Sequence, residues 1–243
     1  MNRNYIRGIK MEHAPQKDRY LKDLPIVKYL LREKELVFDE PVTFFVGENG
    51  TGKSTLLEAI AIAVGFNPEG GSKDFQFETH KTHSELYELI TVIKGLKEKD
   101  GFFLRAESFY NTSTYIEENT SLKRYGNQSF HTLSHGEAFL SLIQNRFEGK
   151  GLYILDEPEA ALSPQRLLTL LCEIHRFVKD DSQFIIATHS PILMAYPKAR
   201  ILLFSEEGIQ AVAYRDTEHY KVMKQFMDNP ERMLKYLMEE EEV

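Results

Sequence analysis

Gly47-Glu48-Asn49-Gly50-Thr51-Gly52-Lys53-Ser54 fits the pattern G-x-x-x-x-G-K-[ST] at every position. Glycines at these places let backbone N–H groups converge on phosphate oxygens without side-chain obstruction. Lys53 has the position to contact terminal phosphates, and the Ser54 hydroxyl can ligate Mg²⁺. Thr55 follows in the same turn and belongs to the same binding set. A second group is Asp156-Glu157, directly after the apolar run 152–155. An acidic pair at a strand end suits metal binding by Asp156, through water, and polarisation of an attacking water by Glu157. The third is His189, which follows another apolar run and precedes Ser190-Pro191.

These groups need elements that hold them at one rim. Residues 42–46, 152–155 and 183–187 have the length and apolarity of buried strands. Residues 53–64 read as a helix opened by the glycine loop, so the loop sits between strand and helix, the context its motif requires. The helix N-terminus adds positive potential at the same point. Further strands are expected at 5–11, 35–38, 89–94 and 102–108, the last two joined across 97–101. Residues 201–204 and 209–213 resemble a hairpin. Helices are expected at 136–147, from Ser163-Pro164 to about 178, and twice at the C-terminal end, the second capped by Asn229-Pro230. Residues 66–80 read as loop, and 111–128 as polar and mobile. Strands alternating with helices imply an α/β fold, a mainly parallel sheet covered on both faces. The stretch of about 75–150 breaks the alternation and reads as a smaller lobe inserted in one domain spanning 1–243.

The composition agrees. In 243 residues, 42% are hydrophobic and 28% charged, enough for a sizeable core. The net charge of -7 argues against a surface built to coat nucleic acid, though not against a local basic patch. The lone cysteine, Cys172, excludes an internal disulfide and falls in an apolar helical pattern that suggests burial. No run is long and apolar enough to span a bilayer, and residues 1–5 lead into no signal-like region, so a soluble, cytoplasmic protein is expected.

Leu133-Ser134-His135-Gly136-Glu137 lies between the phosphate loop and the acidic pair. With it the sequence resembles the ABC-type ATPases, whose signature is Leu-Ser-Gly-Gly-Gln or a near variant. The resemblance extends to residues 156–163, similar to a Walker B motif and D-loop, and to Ala187-Thr188-His189-Ser190-Pro191, similar to the switch-histidine segment. These motifs cover about residues 40–205 in family order, within the P-loop NTPase fold the family adopts. Their wording is most similar to standalone bacterial ATPases that resemble the heads of DNA-repair and chromosome-maintenance proteins.

The resemblance implies Mg-ATP as ligand and hydrolysis with Glu157 as catalytic base and His189 as γ-phosphate contact. It also implies an ATP-dependent head-to-tail homodimer. Ser134 and Gly136 of one subunit would then reach the γ-phosphate held by residues 47–55 of the other. A protein or nucleic-acid partner is implied but not identified. The alternative is the nucleotide-binding subunit of an ABC transporter. A third class, with long coiled coils, is excluded because too few residues separate Lys53 from Ser134. His135 and Glu137 depart from the usual signature, and Ser163 stands where transporters carry the D-loop aspartate. No Q-loop glutamine is evident; Gln76 comes early, Gln128 crowds the signature, and Glu107 is the stand-in. Tyr5, Tyr20 and Tyr29 are the candidates for stacking on adenine, with core packing the commoner role for each. His80 with His83, and His131 with His135, lack the cysteines or carboxylates that complete a zinc site.

Overall fold

The computed structural model describes residues 3–16, 19–74 and 84–238. Strand β1 (Ile6–Met11) precedes helices α1 (Arg19–Asp23) and α2 (Pro25–Glu33), strands β2 (Glu35–Val37) and β3 (Val42–Gly47), and helix α3 (Lys53–Ala63). Next come α4 (Leu86–Leu89), β4 (Ile90–Lys94), β5 (Asp100–Arg105), α5 (Phe109–Asn119) and α6 (His135–Arg146). Then follow β6 (Gly151–Asp156), α7 (Pro164–Lys179), β7 (Gln183–Ala187), α8 (Pro191–Met194), β8 (Arg200–Ser205) and β9 (Gly208–Ala211). Helices α9 (Glu218–Asp228) and α10 (Pro230–Met238) complete the order.

Six strands form the main sheet in the order β5-β6-β7-β3-β8-β9. All its pairs are parallel except the β8–β9 hairpin. Strands β3, β6 and β7 are buried at every position, which is what a strand covered on both faces requires. Their side chains alternate between two cores. Phe45 packs with Leu56, Leu57 and Ile60 of α3, while Phe44 and Val46 pack with Phe139 and Ile143 of α6 and Leu170 of α7. Each buried ring contributes roughly 1.5–3 kcal/mol of hydrophobic stabilisation. The α7 stripe of Leu167, Leu170, Ile174 and Phe177 recurs at helical spacing. A second, antiparallel sheet in the order β2-β1-β4 covers the α3 side.

Three expectations need correction. Residues 89–94 and 102–108 do not form adjacent strands: β4 joins β1 in the small sheet, and β5 joins β6 in the main one. Each strand is at the edge of its sheet, but β4 is mostly exposed or half-exposed, whereas residues 101–104 of β5 are all buried and need cover on both faces. Both strands lie inside the stretch read as an insert, and among its described residues α4 and the helical segment 109–146 lie outside the sheets. Residues 111–128, expected to be polar and mobile, contain most of α5 and a 3₁₀ turn at Leu122–Tyr125. The buried face of α5 is Phe109, Thr112, Ser113 and Ile116, and two of these are hydroxyl residues. The Thr112 and Ser113 hydroxyls donate to the carbonyls of Ser108 and Tyr110, so a polar composition is buried without loss. Cys172 is exposed, because it falls off the apolar stripe of α7.

Candidate functional site

Strands β3, β7 and β6 are neighbours, and Phe45, Ala187 and Asp156 lie in register across them. The residues after each strand therefore emerge side by side at the C-terminal edge of the sheet, where open α/β sheets bind ligands. Gly47 ends β3 with φ 134°, and a Cβ there would stand 2.2 Å from the carbonyl oxygen of Phe204. Only glycine fits, and this sets the exit angle of the loop. Inside the loop the Thr51 hydroxyl donates to the Glu48 carbonyl at 2.8 Å. Lys53 is buried in the first turn of α3 and donates to the carbonyls of Gly47 at 2.8 Å and Glu48 at 2.7 Å. Burial lowers its pKa, against the opposing pull of Glu157, Asp156, Glu159 and Glu48.

Asp156 ends β6 and accepts a hydrogen bond from the Ser54 hydroxyl at 2.9 Å. Burial pushes its pKa up to about 6, aided by the charges of Glu157 and Glu58; Arg105 and the Ser54 hydrogen bond work the other way. Arg105, at the end of β5, brings its Nε within 3.4 Å of Asp156 and forms an ion pair with Glu58 of α3. The Ser54 hydroxyl and Asp156 carboxylate are hard oxygen donors side by side, a set that fits Mg²⁺.

Glu157 has φ 48°, a left-handed conformation uncommon for a side-chain-bearing residue. It is held there by its N–H donating to Ala187 at 3.0 Å. His189 Nε2 lies 3.7 Å from Glu157 Oε1. The half-buried Glu159 carboxylate accepts from the His189 N–H and, at 2.8 Å, from the Thr188 hydroxyl. This ties the segment after β7 to the one after β6. Behind His189, His219 of α9 approaches its Nδ1 at 3.0 Å.

Asn49, Gly50, Gly52, Lys53, Ser54, Thr55, Glu157 and His189 line a single cleft of about 450 Å³, with Tyr20 on its wall. Ser134 and Gly136 do not line it. Ser134 is exposed at the N-cap of α6, and its N–H donates to Glu137 at 2.9 Å. Gly136 is buried, and a Cβ there would stand 2.9 Å from the Ala161 carbonyl, so packing also demands glycine. Of the tyrosines, Tyr5 donates to the Asp181 carbonyl near the start of β7, away from the cleft, and Tyr29 packs on the α3-side core. Glu107 is exposed and 3.9 Å from Arg105, while Gln76, His80 and His83 lie outside the described residues. His131 packs at a tilt against Tyr110, and His135 meets Phe109 edge-on.

Sequence reasoning missed Arg105, Glu58, Glu159 and His219. Glu58 stands one helical turn after Ser54, which is a usable signal. Arg105 and His219 carry none, since strand pairing and the α9 fold-back bring them in.

A family model described as an AAA domain matches residues 26–211. An uncharacterized ABC transporter ATP-binding protein of Haemophilus influenzae is 23% identical over 203 residues, 74% of this chain and 76% of that protein. UvrABC system protein A of Lactococcus lactis is 37% identical over 67 residues, 26% of this chain but only 7% of that relative's length. Among solved structures, cbiO1 from Clostridium perfringens, part of the ABC transporter complex cbiONQ, aligns over 98% of this chain and all of its own, with TM-score 0.52 and 17% identity. That likeness shows the fold, the α/β P-loop architecture of ABC-type ATPases.

Proposed function

This chain belongs to the AAA domain family, and we propose that it binds Mg-ATP on residues 47–55 and hydrolyses it with Glu157. The convergence of Lys53, Ser54, Glu157 and His189 on one cleft carries this reading. Lys53 exchanges its two carbonyl partners for β- and γ-phosphate oxygens, which are stronger acceptors for an ammonium. Glu157 orients and polarises the attacking water. His189 offers Nε2 to the γ-phosphate. Ser54 and, through water, Asp156 would hold Mg²⁺, which would neutralise charge on the phosphates. Tyr20, the candidate aromatic on the cleft wall, stacks on adenine.

The catalytic unit of this reading is an ATP-dependent homodimer, in which Ser134 and the α6 N-terminus of a second copy close the cleft. The support is that Ser134 is exposed and does not line the cleft of its own chain. The work done by hydrolysis is passed to a protein or nucleic-acid partner in the cytoplasm. A second reading, a transporter nucleotide-binding subunit, is favoured by the names of two relatives. In that second case the membrane passage would come from another chain or segment, since no helix among the described residues is long and apolar enough to cross a bilayer.

The test mixes two variants. Lys53→Ala removes the phosphate contact, and Ser134→Arg blocks closure while leaving its own phosphate loop intact. Each alone is inactive. A mixed dimer holds one complete site, so ATPase activity returns on mixing, and adding Glu157→Gln to the Ser134→Arg chain lowers that activity at least ~100-fold. Silence at every ratio, with Glu157→Gln monomeric in ATP by sedimentation, removes the dimer. Undiminished turnover with Glu157→Gln removes the base.

A further inference from the structure

We infer that His219, in the first turn of α9, is a positioning residue that holds His189 in the tautomer carrying its proton on Nε2. The inference rests on the reading of His189 as the γ-phosphate contact. His189 Nδ1 and His219 Nε2 are 3.0 Å apart, with ring centroids separated by 5.1 Å. A hydrogen bond between two imidazoles needs one donor and one acceptor, so only one of these nitrogens bears a hydrogen.

Burial lowers the pKa of His189, with the charges of Lys53 and His219 acting the same way and Glu157 opposing. Burial lowers that of His219 too, with Glu218 opposing and Lys53 assisting. Both rings are therefore neutral near pH 7, and two arrangements remain. If His189 donates from Nδ1, its Nε2 is a bare lone pair. If His219 donates from Nε2, His189 keeps its hydrogen on Nε2.

The surroundings of His189 Nε2 decide between them. The atom is shielded from solvent, has no hydrogen-bond partner among the described residues, and lies 3.7 Å from Glu157 Oε1 at the cleft. A lone pair there would face a carboxylate and, in the loaded site, phosphate oxygens, which is repulsive. An N–H facing the same anions is attractive. The hydrogen on one ring nitrogen is governed by the bond the other makes, so His219 sets it by donating to Nδ1. Its own place is fixed. Thr217 is fully buried, donates to the Tyr214 carbonyl at 2.8 Å and accepts from Tyr220 N–H at 3.3 Å, which anchors the start of α9.

The direct test reads imidazole ¹⁵N shifts in the histidine-labelled full chain, with peaks assigned by single substitutions. His189 should show a protonated Nε2 and a bare Nδ1; the reverse pattern overturns the inference. Kinetics supply the second test. His219→Ala should lower kcat on the order of 10-fold, the lower range for loss of a ligand-orienting partner, with KM for ATP near its wild-type value. His219→Gln, whose amide can donate to Nδ1, should restore most of the rate. An Ala variant as fast as wild type, or a Gln variant as slow as Ala, overturns the role. His189→Ala keeps this separate from the parent reading: full turnover there removes His189 from the γ-phosphate, while the tautomer is still read directly from the wild-type spectrum.

Discussion

Asp100 and Asp156 stand at opposite ends of two paired strands, each buried and each beside an arginine. Asp100, at the start of β5, accepts from Arg146 at 2.8 Å, from the Tyr153 hydroxyl at 2.7 Å and from the Glu148 N–H at 3.0 Å. Burial acts to raise its pKa, and these partners together outweigh it and hold the carboxyl below its usual range. At the same end, buried Gln183 accepts from the N–H groups of Tyr5 and Ile6 and donates to the Ile6 carbonyl. Asp156, at the other end, has one hydroxyl donor and a more distant arginine, and burial wins. Around it lie a left-handed Glu157 and a His189 Nε2 with no protein partner among the described residues. The satisfied end ties the sheet to the C-terminal turn of α6. The under-satisfied end is where a ligand would supply what the protein withholds, as functional sites do at a cost in stability.

The contrast is sharpest in acid-base behaviour. Asp100→Asn should destabilise the fold by about 3–5 kcal/mol in urea unfolding, because it leaves the buried Arg146 charge uncompensated. ATPase per folded molecule should not change. With a folded pKa below the unfolded one, Asp100 stabilises above its unfolded pKa, and that share is lost as pH falls through the folded value. A loss under ~1 kcal/mol would mean the network is not structural.

Asp156→Asn should do the opposite. Its folded pKa of about 6 lies above the ordinary aspartate value of 3.8, so the wild-type side chain favours folding at low pH and loses that share as pH rises through 6. The variant should gain up to ~3 kcal/mol at pH 7 and lose the slope between about pH 4 and 6, while retaining ATP less well in Mg²⁺. A nucleotide-free variant less stable than wild type at pH 7 would erase the distinction between the two ends.

Cys172 belongs to neither network and serves as the control. Cys172→Ser should change stability by less than ~0.5 kcal/mol, as surface substitutions do. The folded wild-type thiol should react with a small reagent as fast as in denaturant; slow labelling would contradict its exposure on α7.

The sequence alone marked the candidate residues whose proposed roles are local. The run 47–55, the pair Asp156-Glu157 and the segment around His189 are contiguous, and each joins a strand to a turn or helix, so pattern and chemistry are read together. The unbroken apolar runs of β3, β6 and β7 marked them as strands covered on both faces, hence the parallel sheet and its rim. The fold of residues 109–119 was not legible, because Thr112 and Ser113 are buried by hydrogen bonds that composition does not reveal. Nor was the separation of β4 from β5, since strand partners are chosen by register and two-sided cover rather than by the linker between them. Only the tertiary structure set Arg105 beside Asp156 and His219 behind His189. Those contacts join positions tens of residues apart, and a lone arginine or histidine carries no periodic signal; packing of the strands and of α9 decides what it meets.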